Sequence, residues 1–388
     1  CIEDRHRAGP PLTRHSDEGQ PGGLIAPMAS AAEIPGTPEH VTAQWLTAVL
    51  SRPGHPVNVA EADVTPIGTG QTGATYRVAV RYTEPQPGLP DTFVVKLPVQ
   101  DDTVRDRVAP SYRSEHAFYT EVAATVAVPL PHCYHCAIAD DGARFVLLLA
   151  DMAPAVQGDQ IRGCSIAEAR LAAVALAGLH GPRWCDPAWL DFAGTVMPRP
   201  DGAGARGLGD ITKLAAQITI DKLGPRMTAA NRQTVLDSAE AIADWLLCCP
   251  DRFSLLHGDY RIDNLLFDPD RTRVTAVDWQ TLAVGLPARD LAYFIATSLQ
   301  PVDRAAHERE LVNAYHQALS AHGVTGYDAQ TCWQDYRLGM LQVPLIATLG
   351  FAFSAATDRG DAMMLAMLER GSQAIRELET LDLVRSGV

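Results

Sequence analysis

The residues best suited to chemistry lie in one short stretch, His257-Gly258-Asp259-Tyr260-Arg261-Ile262-Asp263-Asn264, followed after an apolar run by Asp278-Trp279-Gln280. Asp259, an Asn five residues on and a second Asp on a neighbouring strand can converge on one side of a hairpin. Phosphoryl transfer uses such a set: a carboxylate orients the attacking hydroxyl and accepts its proton, and oxygen ligands hold Mg²⁺ on the phosphates. Asp259 is the candidate base, Asp278 the candidate bridging metal ligand and Asn264 the candidate second ligand. Asp and Asn also populate ordinary turns. Here Leu265, Leu266, Phe267, Val274 and Val277 would anchor them rigidly.

These residues sit on a β-like island (255–257, 264–267 and 274–277) within a region of helical periodicity. Residues 166–180, 233–248 and 305–322 read as helices. Upstream the grammar is that of strands, expected at 64–67, 75–82, 92–97 and 144–149, with a helix over 111–126 between the last two. The sequence therefore predicts an α+β chain with a small antiparallel β lobe and a larger, mainly helical lobe. The divisions are a disordered extension over 1–33, a β lobe over 34–152 and a helical lobe over 153–388. Thr37-Pro38-Glu39 reads as the cap of the first helix. No internal repeat is present.

A chain of 388 residues suits two lobes with a cleft between them. The net charge of −14 speaks against a nucleic-acid partner, which needs clustered Lys and Arg. No apolar run reaches the length needed to span a bilayer; the most tempting stretch, 341–353, is broken by Pro344 and Gly350. With no signal-peptide pattern, the expected location is cytoplasmic. The eight cysteines lack the spacing of a disulfide scaffold. His132, Cys133, His135 and Cys136 suit zinc by type, but no second ligand pair follows, and 128–138 reads as the entry to a strand.

The stretch HGD, four residues and Asn, then Asp278-Trp279-Gln280 and Gly285-x-Pro287-x-x-Asp290-Leu291-x-Tyr293-Phe294, resembles the aminoglycoside phosphotransferase and choline kinase family, and within it the ecdysteroid-kinase-like branch. That resemblance implies a protein-kinase-like fold and a small-molecule kinase using ATP, with GTP as an alternative, and Mg²⁺. It further implies a nucleotide-covering turn at Gly68, Gly70, Thr72 and Gly73. Lys96 would touch the α and β phosphates, with Glu115 as its ion-pair partner and Glu121 as the alternative. Ala150 and Met152 would read the adenine edge at an interlobe hinge. Asp290 is expected to brace the catalytic loop, and His180 to pack or cap.

The residue before Asp259 is Gly rather than Arg, and too little chain separates Asp278 from Asp290 for a phosphorylatable activation loop. The expected partner is therefore a small hydroxyl acceptor, whether aminoglycoside-like, choline-like or sterol- or hydroxyacyl-like. Trp184, Trp189, Trp333, Tyr336, Phe351 and Phe353 are candidate lining residues. The rival reading is a catalytically silent, nucleotide-binding pseudokinase with a regulatory role.

Overall fold

The computed structural model describes residues 34–67, 73–139, 142–352 and 357–387; the extension expected over 1–33 lies outside them. Helix α1 (Ala43–Leu50) starts later than the sequence suggested. Pro38–His40 forms only a short 3₁₀ turn, and the Thr42 side chain caps α1 by accepting the Trp45 N–H.

Five antiparallel strands make the small lobe: β1 (Val59–Pro66), β2 (Gly73–Tyr82), β3 (Thr92–Pro98), β4 (Cys133–Ile138) and β5 (Phe145–Ala150), in the order β1-β2-β3-β5-β4. The segment holding Cys133 and Cys136, read from the sequence only as the entry to a strand, is itself the edge strand β4. Period-two alternation gives the sheet two apolar faces. Val146 and Leu148 join Phe93, Val95, Leu97, Trp45 and Leu46 on the α1 side. Phe145, Leu147 and Leu149 join the larger core beneath, with Tyr112 and Phe118. Lys96, out of phase with Val95 and Leu97, therefore faces away from α1.

Between β3 and β4 runs α2 (Asp102–Ala117), nine residues ahead of its expected start, continuing through a π-turn at Phe118–Val122. The β6 strand (Val156–Gln157) leads into the helical lobe. There α3 (Ile166–His180) has the expected bounds, fixed by a Ser165/Glu168 capping box. Asp201 and Thr228 cap α4 (Gly202–Leu223) and α5 (Ala229–Leu246).

The island consists of β7 (Ser254–Leu256), β8 (Leu265–Phe267), β9 (Val274–Ala276) and β10 (Ala283–Gly285). It forms two small sheets, β10-β7 and β6-β8-β9, rather than one hairpin. The chain closes with α6 (Ala288–Ser298), α7 (Pro301–Ala321), α8 (Ala329–Gly339), α9 (Gln342–Ala352), α10 (Asp358–Glu377) and α11 (Thr380–Ser386). The architecture is the two-lobed α+β arrangement expected from the sequence. Among the described residues no helix is long and apolar enough to cross a membrane.

Candidate active site

Strand β7 runs into His257 and then Gly258, whose φ of +82° turns the chain. A Cβ at residue 258 would lie 2.0 Å from the Thr281 carbonyl oxygen, so only glycine fits. The turn is braced from α6: the His257 and Gly258 amides donate to Asp290 Oδ2 and Oδ1 at 2.6 and 3.1 Å. His180 Nε2 lies 3.5 Å from the same carboxylate, and its Nδ1 pairs with the Tyr315 hydroxyl at 2.7 Å. Asp290 and His180 therefore form a fully buried support beneath the loop.

Three donors hold the Asp259 side chain beyond this turn. Arg261 Nε and Asn264 Nδ2 donate to its Oδ2 at 3.0 and 3.1 Å, and the Tyr293 hydroxyl donates to Oδ1 at 2.8 Å. Asn264 also donates to the Asp259 carbonyl at 2.9 Å, which leaves Asn264 Oδ1 without a hydrogen bond among the described residues. Arg261 continues to Asp263 Oδ2 at 2.7 Å. The Arg261 guanidinium is buried, which opposes its charge, but Asp259 and Asp263 hold its pKa above the usual value.

Asp278 follows β9 with φ +69°, a left-handed conformation uncommon for a residue with a side chain. Its Oδ1 receives Lys96 Nζ at 2.7 Å, and the same ammonium lies 2.9 Å from Glu115 Oε2. One lysine from β3 thus joins α2 to the loop of the helical lobe. Burial opposes the Lys96 charge, yet Asp278 and Glu115 together keep its pKa above the ordinary lysine value. Burial acts against the Asp278 carboxylate as well, and Lys96 outweighs it, so Asp278 titrates below the ordinary range. Glu115, almost fully buried, is pushed up by burial.

Glu115 also accepts the Trp279 N–H at 3.3 Å, and Phe118 stacks on the Trp279 ring with centroids 3.7 Å apart. Residue 278 is therefore positioned from both lobes. Gly73 sits over Lys96: a Cβ there would be 3.2 Å from the lysine Cε. Gly68, Gly70 and Thr72 lie outside the described residues. Ala150 ends β5, pairing with Phe93 in register, and its N–H donates to the His132 carbonyl at 2.8 Å. Asp151, next in the chain, is clamped by Arg77 through bonds of 2.6 and 3.2 Å. The Met152 carbonyl accepts the Ala155 N–H at 2.8 Å.

Lys96, Glu115 and Asp278 are thus brought into contact, as are Asp259 and Asn264. The sequence reading missed Arg261 and Tyr293. Both carried a signal: Arg261 is the cation midway between Asp259 and Asp263, and Tyr293 follows Asp290 by three residues, which puts both on one helical face. The aromatic acceptor-lining candidates fare differently. Trp189, Trp333, Tyr336 and Phe351 are buried in the helical-lobe cores, Trp184 packs on Tyr327, and Phe353 lies outside the described residues.

The oxygens suit a hard cation. Asn264 Oδ1 and Asp278 Oδ2 accept no hydrogen bond among the described residues, and Mg²⁺ is commonly held by one or two protein oxygens, with water and substrate phosphates completing its shell.

The model of a family described as "Phosphotransferase enzyme family" matches residues 63–329. A stretch of 64 residues is 39% identical to the Acyl-CoA dehydrogenase family member 11 of Homo sapiens, covering 15% of this chain and 8% of that protein. A stretch of 62 residues is 40% identical to family member 10 of Mus musculus, covering 15% and 6%. The match thus spans less than a tenth of the length of these curated relatives. Among solved structures, the GDP complex of aminoglycoside 2'-phosphotransferase-IIIa aligns with a TM-score of 0.48 at 16% identity, over 80% of this chain and 92% of that one. The Plasmodium vivax ethanolamine kinase aligns with a TM-score of 0.46 at 12% identity, over 84% of each chain.

Proposed function

Because the chain belongs to the phosphotransferase enzyme family, we propose that it is a magnesium-dependent kinase that moves the γ-phosphoryl group of ATP onto the hydroxyl of a small alcohol. The observation that carries this reading is the Lys96 ammonium held between Glu115 and Asp278, with Asp259 fixed in the adjoining loop. Lys96 supplies a fixed positive charge for the nucleotide phosphates, and Glu115 keeps it in place. Asn264 and Asp278 would hold Mg²⁺, which when bound neutralises charge on the phosphates.

Asp259 is the acceptor for the proton of the attacking hydroxyl. Its three donors fix the carboxylate's rotamer, so the oxygen facing the acceptor is set before the acceptor arrives. Gly258 and Asp290 hold the backbone of that residue. The Gly68–Gly73 turn, Ala150 and Met152 are assigned to the nucleotide by the family resemblance.

The test is ADP release from Mg²⁺·ATP across a panel of aminoglycosides, choline-like amines and hydroxylated lipids. Acceptor-dependent ADP release that disappears without Mg²⁺ is the expected result. Nucleotide binding with no turnover on any acceptor or on water would favour the silent, regulatory alternative.

A further inference from the structure

A second concentration of positive charge lies away from Lys96, Asp259 and Asp278. The end of α5, the loop that follows it, β10 and the start of α6 enclose a cavity of about 20 Å³ lined by Arg199, Arg252 and Arg289. Arg252 is committed elsewhere: its Nε and Nη2 each donate to Asp335 at 2.7 Å. The other two arginines have no carboxylate within ion-pair distance among the described residues.

Arg289 is only 6% exposed. Its Nε donates to Gln342 Oε1 at 2.9 Å, while its two terminal nitrogens donate to no protein acceptor among the described residues. The guanidinium lies 4.6 Å over the Trp245 ring. It also passes across Gly285, where a Cβ would sit 2.7 Å from Nη1. The missing side chain at residue 285 is what admits the charged head. Arg199 lines the same cavity, its guanidinium 5.5 Å over the Phe253 ring.

This arrangement is costly unless something is added. Burial, only partly offset by the nearby Asp290 charge, lowers the Arg289 pKa to about 10, so the group is still cationic at neutral pH, with no carboxylate in ion-pair contact among the described residues. It also stands in the first turn of α6, where the helix dipole disfavours a cation and favours an anion. A shortage of acidic residues is not the cause, since Asp and Glu number 46 against 32 Lys and Arg.

We infer that this cavity is a second binding site, taking a small inorganic anion between the Arg289 and Arg199 guanidiniums at the N-terminus of α6. The volume suits a halide or the leading oxygens of a phosphate. The site is joined to the candidate catalytic loop by two hydrogen bonds: Arg289 Nε donates to Gln342, and Gln342 Nε2 donates to the Gly258 carbonyl at 3.1 Å. An anion that fixes Arg289 therefore also fixes the backbone immediately before Asp259.

Calorimetric titration of the full chain with sodium phosphate and with sodium chloride, in a buffer whose anions are bulky sulfonates, tests this site. The wild type is expected to bind at least one of the two, and the one that binds identifies the anion. Arg199→Gln and Arg289→Gln should each weaken binding by about tenfold or more, the worth of a charged hydrogen bond. Where Arg289→Gln does not fold, Arg199→Gln, at a partly exposed position, carries the test alone. Lys96→Ala, which removes the cation proposed to meet nucleotide phosphates, should leave the affinity within about twofold when measured below that variant's melting transition. No binding by the wild type, unchanged binding by Arg199→Gln, or binding lost in Lys96→Ala would each overturn the assignment.

Discussion

The Tyr293 hydroxyl donates to Asp259 Oδ1 at 2.8 Å from inside the protein, where Tyr293 is 1% exposed. Burial and the neighbouring Asp259 both raise the phenol's pKa well above its usual value, so it remains a donor throughout the working range. Tyr293→Phe keeps the ring and deletes only that bond. Turnover, measured as Mg²⁺-dependent ATP hydrolysis or transfer, should fall about tenfold, the worth of one hydrogen bond to a charged group. The KM for nucleotide should stay put; a matching rise in KM would mean that Tyr293 supports nucleotide binding instead.

Asp259→Asn keeps the size and most of the contacts of the side chain but removes its charge and proton-accepting oxygen. Phosphoryl transfer should drop by about two to four powers of ten, the range of general-base contributions. Calorimetry should find nucleotide affinity nearly unchanged. Parallel loss of both would reassign Asp259 to metal binding or structure.

Lys96→Ala removes the cation beside Glu115, whose side chain is 2% exposed. Breaking a buried pair from one side typically costs about 3–5 kcal/mol, because the remaining charge is left uncompensated. The melting temperature should fall, nucleotide binding should weaken, and adding Glu115→Gln should restore part of the lost stability. If the double variant melts no higher than the single one, Lys96 is not compensating Glu115.

Burial opposes the Asp151 charge, but the hydrogen bond from Arg77 and the Ala153 amide outweigh it and hold its pKa below the ordinary 3.8. A depressed carboxylate contributes stability fully above its unfolded value and loses it as pH falls through the folded value. The melting-temperature gap between wild type and Asp151→Asn should thus be flat from neutral pH down to about 4 and shrink below that. A gap that already closes at mildly acidic pH would show that Arg77 does not govern this carboxylate.

Gly258→Ala should destabilise the protein by at least about 2 kcal/mol, combining left-handed strain with a clash against backbone. The close approach to Thr281 has no flexible side chain to move aside. A denaturant midpoint equal to wild type would mean that the loop relaxes freely.

How much of this was legible beforehand depended on whether a residue's partner was close in sequence or already implied by a motif. The strand carrying Lys96 was readable from its β-branched residues, the one ending at Ala150 from its continuous apolar run, and α3 because Ser165 and Glu168 cap it locally. Strand β4 was seen only as an extended approach, because its residues are all partly exposed and show no alternation. The start of α2 was missed because Pro110 falls inside it and its first turns carry charged residues on several faces. Arg261, Tyr293 and the Arg289–Gln342–Gly258 link are tertiary: each pairs groups whose closeness only the packing of α6 and α9 on the loop creates. The aromatic residues misled for the same reason, since helical spacing does not say which face is covered.

The bridge made by Lys96 has a thermodynamic consequence. Asp278 Oδ1 is its partner in this state. A divalent cation that draws Asp278 to itself withdraws the carboxylate from Lys96 and leaves the ammonium seeking negative charge, which a nucleotide's phosphates provide. Conversely, phosphates that engage Lys96 release Asp278 for the cation. If Asp278 holds the cation and Lys96 the phosphates, as proposed, each arrival would lower the cost of the other, and the two would bind with positive and necessarily reciprocal cooperativity.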